Sequence, residues 1–121
     1  LQIQSPDFYQ QDIALLFNNL GNCYGDVQES AQAELFLLFA LQQFQELAQL
    51  QPQTYLADVA MTTLNLAIFY QDNQPNREKS LDFARETLQI TRTFGENSSG
   101  FLQEIEASAL EVIRDWGEGG E

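Results

Sequence analysis

The sequence predicts an all-α chain in which antiparallel helix hairpins stack into a short solenoid of about five helices. Three observations predict it. The phrase FNNLGNCYGD at 17–26 returns as TLNLAIFYQD at 63–72, a shift of 46 residues. Apolar residues recur at three- and four-residue spacing almost throughout, which is the period of an amphipathic helix. Gly and Pro gather in a few short breaks instead of interrupting the runs.

Taken in order, the first helix is expected at about 10–24. Asp12 stands near its start, where a carboxylate can accept from free helix N–H groups. Gly25 follows the run, as expected at a helix end. The second helix is expected at about 28–49, a stretch without Gly or Pro. Ala33, Phe36, Leu37, Ala40, Leu41, Phe44 and Leu47 form its stripe, and Leu35, Leu38 and Phe39 widen it, so this helix should be covered on more than one side. The third, about 56–71, has Asp58 near its start and ends at the break NQPN. The fourth, about 77–94, ends at GENSSG, and the fifth runs from about 101 to 116. The tail at 117–121 should be flexible.

The shift matches Pro6 with Pro52, Tyr9 with Tyr55, Asp12 with Asp58, Asn19 with Asn65, Tyr24 with Tyr70 and Asp26 with Asp72. One inserted residue near Asn73–Asn76 continues the match, so that Ala33 meets Ser80 and Ala40 meets Thr87. A degraded third copy begins near Phe101, with Trp116 at the place of Tyr70 and Glu111 where the Asn would stand. The reading is one domain over 1–121: a first repeat at about 6–49, a second at about 52–94, and a capping helix at about 101–116. One hairpin cannot bury its apolar face alone, and stacking a second against it does so.

Composition narrows the function. The chain of 121 residues is 44% hydrophobic, enough for a modest core. Its net charge is −13, and all five bases lie after residue 76. Nucleic acid and anionic membranes both require cations on the protein, so neither is an expected partner. A basic partner fits the charge, and so does the simpler reading that the charge keeps the chain soluble. No apolar run reaches the length of a membrane span, and no basic segment precedes an apolar one as in a signal peptide. A chain that begins at Leu1 is expected to be part of a longer protein.

Catalytic equipment is sparse. There is no histidine for general-base work and one cysteine, Cys23, which cannot form an intrachain disulfide. A cysteine inside an apolar helix is expected to be a small core residue rather than a nucleophile. A cytoplasmic setting follows as an expectation. No phosphate loop or calcium loop is found, and no cofactor or metal is expected. The sequon Asn97-Ser98-Ser99 has no secretion signal to support it.

Leu20, Gly21 and Tyr24 on the first helix, with Ala33 and Ala40 on the second, give the chain its likeness to a known family. With their echoes Leu66, Ala67, Tyr70, Ser80 and Thr87, they resemble tetratricopeptide repeats over about residues 6–116. NNLGNCY and LNLAIFY look most like the longer repeats of the kinesin-light-chain type, although the spacing of 46 exceeds the usual ~34 of the family. The resemblance implies a right-handed solenoid whose first helices line a concave groove for a peptide. It implies looser packing in the second hairpin, where Ser80 and Thr87 replace alanines.

On that basis the candidate partner-binding residues are Asn18, Asn19, Asn22, Asp26, Asn65, Ile68 and Asp72. An amide side chain matches a peptide backbone with both a donor and an acceptor. Two readings of Asn19 and Asn65 stay open. They form a ladder that grips a peptide main chain, or each ties adjacent helices together or simply faces water. Asp26 and Asp72 are placed to attract Lys or Arg, or they are solvated helix ends. The expected function is non-catalytic binding of a protein or peptide. The alternatives are assembly, as a homo-oligomer through exposed end faces or as a scaffold segment of a larger protein, and an enzyme or regulatory ligand domain using acidic residues with a bound cation.

Overall fold

The computed structural model describes residues 6–94 and 99–117. Five helices occupy them: α1 (Pro6–Asp26), α2 (Ser30–Leu50), α3 (Pro52–Asp72), α4 (Arg77–Phe94) and α5 (Gly100–Asp115). Each packs on its neighbour in sequence, and α1 with α3 and α3 with α5 pack as well. The fold is all-α, as the periodicity predicts. Asn97 and Ser98 of the sequon, most of the GENSSG break, the end of the tail and the first five residues lie outside the described residues.

Two helices start earlier than expected, for one reason. Pro52 occupies the first turn of α3, where its missing N–H costs nothing and its fixed φ suits a helix. α1 likewise begins at Pro6. Asp12 and Asp58 therefore lie well inside their helices and cap nothing. Gly25 also lies inside α1, and the left-handed residue that turns the chain is Gln28, at φ 66°. The following loops are equivalent. The N–H of Glu29 donates to the Tyr24 carbonyl at 2.8 Å, and that of Asn76 donates to the Tyr70 carbonyl at 2.8 Å. The second loop holds one residue more, where the sequence match slips by one.

Close helix approach organises the core. A Cβ built on Gly21 would lie 2.7 Å from Leu37 Cγ and 3.2 Å from the Leu37 backbone nitrogen. Only glycine lets α1 and α2 meet there. Phe17 packs on Phe36 and Phe39, and Tyr24 packs on Phe36. Tyr70 fills the equivalent place in the second hairpin, almost fully buried.

The second hairpin is not loose. Ser80 and Thr87 are fully buried. Ser80 Oγ donates to the Ala67 carbonyl at 2.7 Å, and the Thr87 hydroxyl meets that of Thr63 at 2.7 Å. Hydroxyls here hydrogen-bond across the crossing that alanines would merely permit. Trp116 closes this end, its indole N–H donating to Ser80 Oγ at 2.8 Å.

At the other end α2 packs on both α1 and α3 and so is covered on more than one side, as expected, but those contacts do not bury the residues that widen its stripe. Leu35, Leu38 and Phe39 are exposed, because no described element lies beyond the first hairpin on that side. Cys23 is exposed for the same reason and is no core residue.

The glycines yield a paired prediction. Gly21→Val should lower stability by about 1–3 kcal/mol, the usual cost of overpacking. Gly25→Ala should be neutral or stabilising by up to ~1 kcal/mol, since a Cβ there meets only the Asn73 side chain at 3.5 Å. Urea unfolding of both variants checks the contrast.

Candidate partner-binding cleft

The first helices of the stack converge and the second ones splay. α1 touches α3 and α3 touches α5, whereas α2 and α4 do not pack directly on each other. The inner face therefore belongs to α1, α3 and α5. Between α1 and α3 lies a cleft of about 200 Å³. Gly21, Gly25 and Leu37 form part of its lining, together with Phe69 and Asn73. Five sequence-predicted residues meet in it: Asn22, Asp26, Asn65, Ile68 and Asp72.

The other two lie elsewhere. Asn18 is buried, 3% exposed, in the α1–α3 contact. There its Oδ1 accepts from Asn65 Nδ2 at 2.9 Å. Asn19 is exposed on α1 and is not part of the cleft lining. The residue that meets Asn65 in space is thus Asn18, one position before its counterpart in the sequence match. The Asn18–Asn65 pair ties α1 to α3, and Asn65, half-buried, also reaches the cleft.

Asp26 and Asp72 are the last residues of α1 and α3, and both are exposed. A carboxylate at a helix C-terminus opposes the helix dipole, so neither is placed for stability. Asn73 was not foreseen. Its Nδ2 donates to the Gly25 carbonyl at 2.8 Å and joins the end of α1 to the loop after α3. Its place in NQPN, just beyond the repeated Asp, was the available signal.

A larger opening of about 900 Å³ lies between α2 and α4, lined by Gln45, Gln49, Asp82, Arg85, Glu86 and others. It follows from the splay of the second helices. Burial pushes the Glu86 carboxyl above its ordinary range, and the Asp58 carboxyl on α3 likewise. The Tyr70 hydroxyl, buried and donating to Glu34 at 2.5 Å, is also held well above its usual value. Among the described residues no helix is long and apolar enough to cross a membrane, and no group of three or more acidic or thiol side chains converges as a metal site would require.

Two predictions arise from this geometry. Asn65→Ala should destabilise the chain by about 1–3 kcal/mol, because it strips a buried amide of its partner. Asn19→Ala should stay within about 0.5 kcal/mol of the parent. Thermal unfolding separates them. The raised carboxyls set the sign of a pH dependence. A folded state that holds its protons more tightly than the unfolded chain loses stability as pH rises. Stability should fall as pH rises through and above the ordinary values of 3.8 for Asp58 and 4.5 for Glu86. Asp58→Asn with Glu86→Gln should flatten that slope in a pH series of unfolding curves.

No family model matches the chain, and neither the curated proteins nor the solved structures contain a significant match.

Proposed function

We propose that this chain is a non-catalytic protein-interaction module of the tetratricopeptide-repeat kind, holding an extended, basic segment of a partner protein across the α1–α3 cleft. The observation that carries the reading is the convergence of Asn22, Asn65, Ile68, Asp26 and Asp72 on one concave site. Amides suit a peptide backbone, Ile68 gives an apolar footing, and the two carboxylates suit Lys or Arg. Neither acid serves its own helix. The net charge of −13 favours the same class of partner by steering. A cytoplasmic setting belongs with this reading.

A second reading, assembly through an end face, is favoured by the exposed apolar surface of the first hairpin, where Ile13, Leu16 and Leu35 face outward. It does not compete for the cleft.

The groove is tested with a panel of extended Lys- and Arg-containing peptides, titrated by fluorescence anisotropy. Asp26→Asn with Asp72→Asn should weaken binding roughly two- to tenfold, as expected for two exposed ion pairs, and should reduce the salt dependence. Asn22→Ala should weaken it without changing the salt dependence. Binding that ignores all three substitutions, or no binding by any basic peptide, would sink the groove.

A further inference from the structure

The cleft between α1 and α3 owes part of its space to Gly25, and nothing in the packing requires a glycine there. Gly25 lies within α1 and has no left-handed φ. A Cβ on it would meet the Asn73 side chain at 3.5 Å, an ordinary contact. Gly21 differs, since a Cβ there would run into Leu37. Alanine favours a helix over glycine, so position 25 forgoes stability that its surroundings would allow. The bare wall that results lines the cleft.

The repeat shows the same place filled. The shift of 46 sets Gln71 of α3 where Gly25 stands on α1. Gln71 reaches the next helix of the inner face, and its Nε2 donates to the Asp115 carboxylate at 3.5 Å. Asp115 is the last residue of α5, as Asp72 is of α3. Between α3 and α5, then, a planar amide of the chain itself brings an N–H to a terminal acid. Between α1 and α3 the terminal acids Asp26 and Asp72 stand at the cleft, and Gly25 supplies no such donor.

The rest of the cleft offers acceptors too. Asn73 Nδ2 donates to the Gly25 carbonyl, which can only accept, so this amide turns its Oδ1 to other donors. Asn65 Nδ2 likewise donates to Asn18. Two helix C-termini add the negative ends of their dipoles. None of the described lining residues is basic. The volume of about 200 Å³ falls below the ~300–1,000 Å³ of small-molecule sites and suits one long side chain.

We infer that the cleft is a socket for one arginine side chain of the partner. Its methylenes lie along Ile68 and the bare Gly25, and its guanidinium donates to Asp26, Asp72 and the Asn73 Oδ1. A guanidinium holds five N–H donors in a planar fork, against three on the compact ammonium of lysine. It is the charged counterpart of the planar donor that Gln71 supplies in the echo. This socket rests on the groove reading and sharpens it, since a groove for basic segments takes lysine and arginine alike.

Two fluorescein-labelled octapeptides of equal charge, one alternating serine with arginine and the other serine with lysine, test it by anisotropy on the 121-residue chain. Steering by net charge acts on both alike. The arginine peptide should bind roughly two- to tenfold more tightly, the worth of about one further hydrogen bond. Gly25→Ala should shrink that preference and Gly25→Leu should remove it, with little change for the lysine peptide. Urea unfolding should find Gly25→Ala at least as stable as the parent, so that a lost preference is not a lost fold. Equal affinities for the two peptides, both falling with Asp26→Asn and Asp72→Asn, would overturn the socket and keep the groove. An arginine preference that survives Gly25→Leu would put the arginine elsewhere and overturn the socket as well. Failure of both peptides to bind would overturn the groove reading and the socket together.

Discussion

Leu37 occupies the space where any side chain on Gly21 would lie. That one close approach sets the distance between α1 and α2, and much else depends on it. It brings Phe17 against Phe36 and Phe39. It also leaves Gly21, Gly25 and Leu37 as part of the lining of the cleft between α1 and α3. Glycine inside a helix costs about 1 kcal/mol relative to alanine, a cost offset here by packing that a larger residue would prevent. The same logic runs through the stack, where Ala14, Ala33, Ala40, Ala60, Ala67, Ala84 and Ala109 are all buried. Small residues bring helices together; the large ones then fill the space beside the crossing.

The second hairpin solves the same problem with hydroxyls. Thr63 and Thr87 share a hydrogen bond across α3 and α4, and each also contacts a carbonyl of its own helix, Ala60 for one and Phe83 for the other. Two hydroxyl protons serve three contacts, so the pair is held in a narrow set of geometries. Ser80 couples α4 to α3 through the Ala67 carbonyl and to the C-terminal cap through Trp116. Buried hydroxyls with partners add orientation to a crossing that apolar residues would leave free to slide. Asn18 and Asn65 play a comparable part between α1 and α3.

Much of this was legible in the sequence because the repeat encodes the fold twice. Helix number, order and the one-residue slip in the second loop could be read from matched residues. Helix starts could not, because Asp12 and Asp58 look like caps while Pro6 and Pro52 set the actual beginnings. The cleft was legible as a set of residues at helical spacing. Its depth was not. A shift of one position along α1 turns a side chain by about 100°, which separates buried Asn18 from exposed Asn19. Sequence matching aligned Asn65 with Asn19, whereas the lean of α3 across α1 brought it to Asn18. Such offsets depend on how two helices cross, which local pattern does not carry.

The exposed face of the first hairpin is informative by comparison with its echo. Solvent alone would make an uncovered copy of a repeat more polar than a covered one. Here the order is reversed. Leu16 is exposed where the covered counterpart is Thr62, and Val27 is exposed where the counterpart is Asn73. On the second helices, Leu35 and Leu38 are apolar where α4 carries the exposed Asp82 and Arg85. The outward positions of α4 follow the rule for a solvated helix, and those of α2 break it. Each exposed leucine or phenylalanine taken singly would mean little. Several positions made more apolar where the described structure leaves them bare read as a surface shaped by contact, and the 3.5-residue spacing on α1 gives that contact the form of another helix.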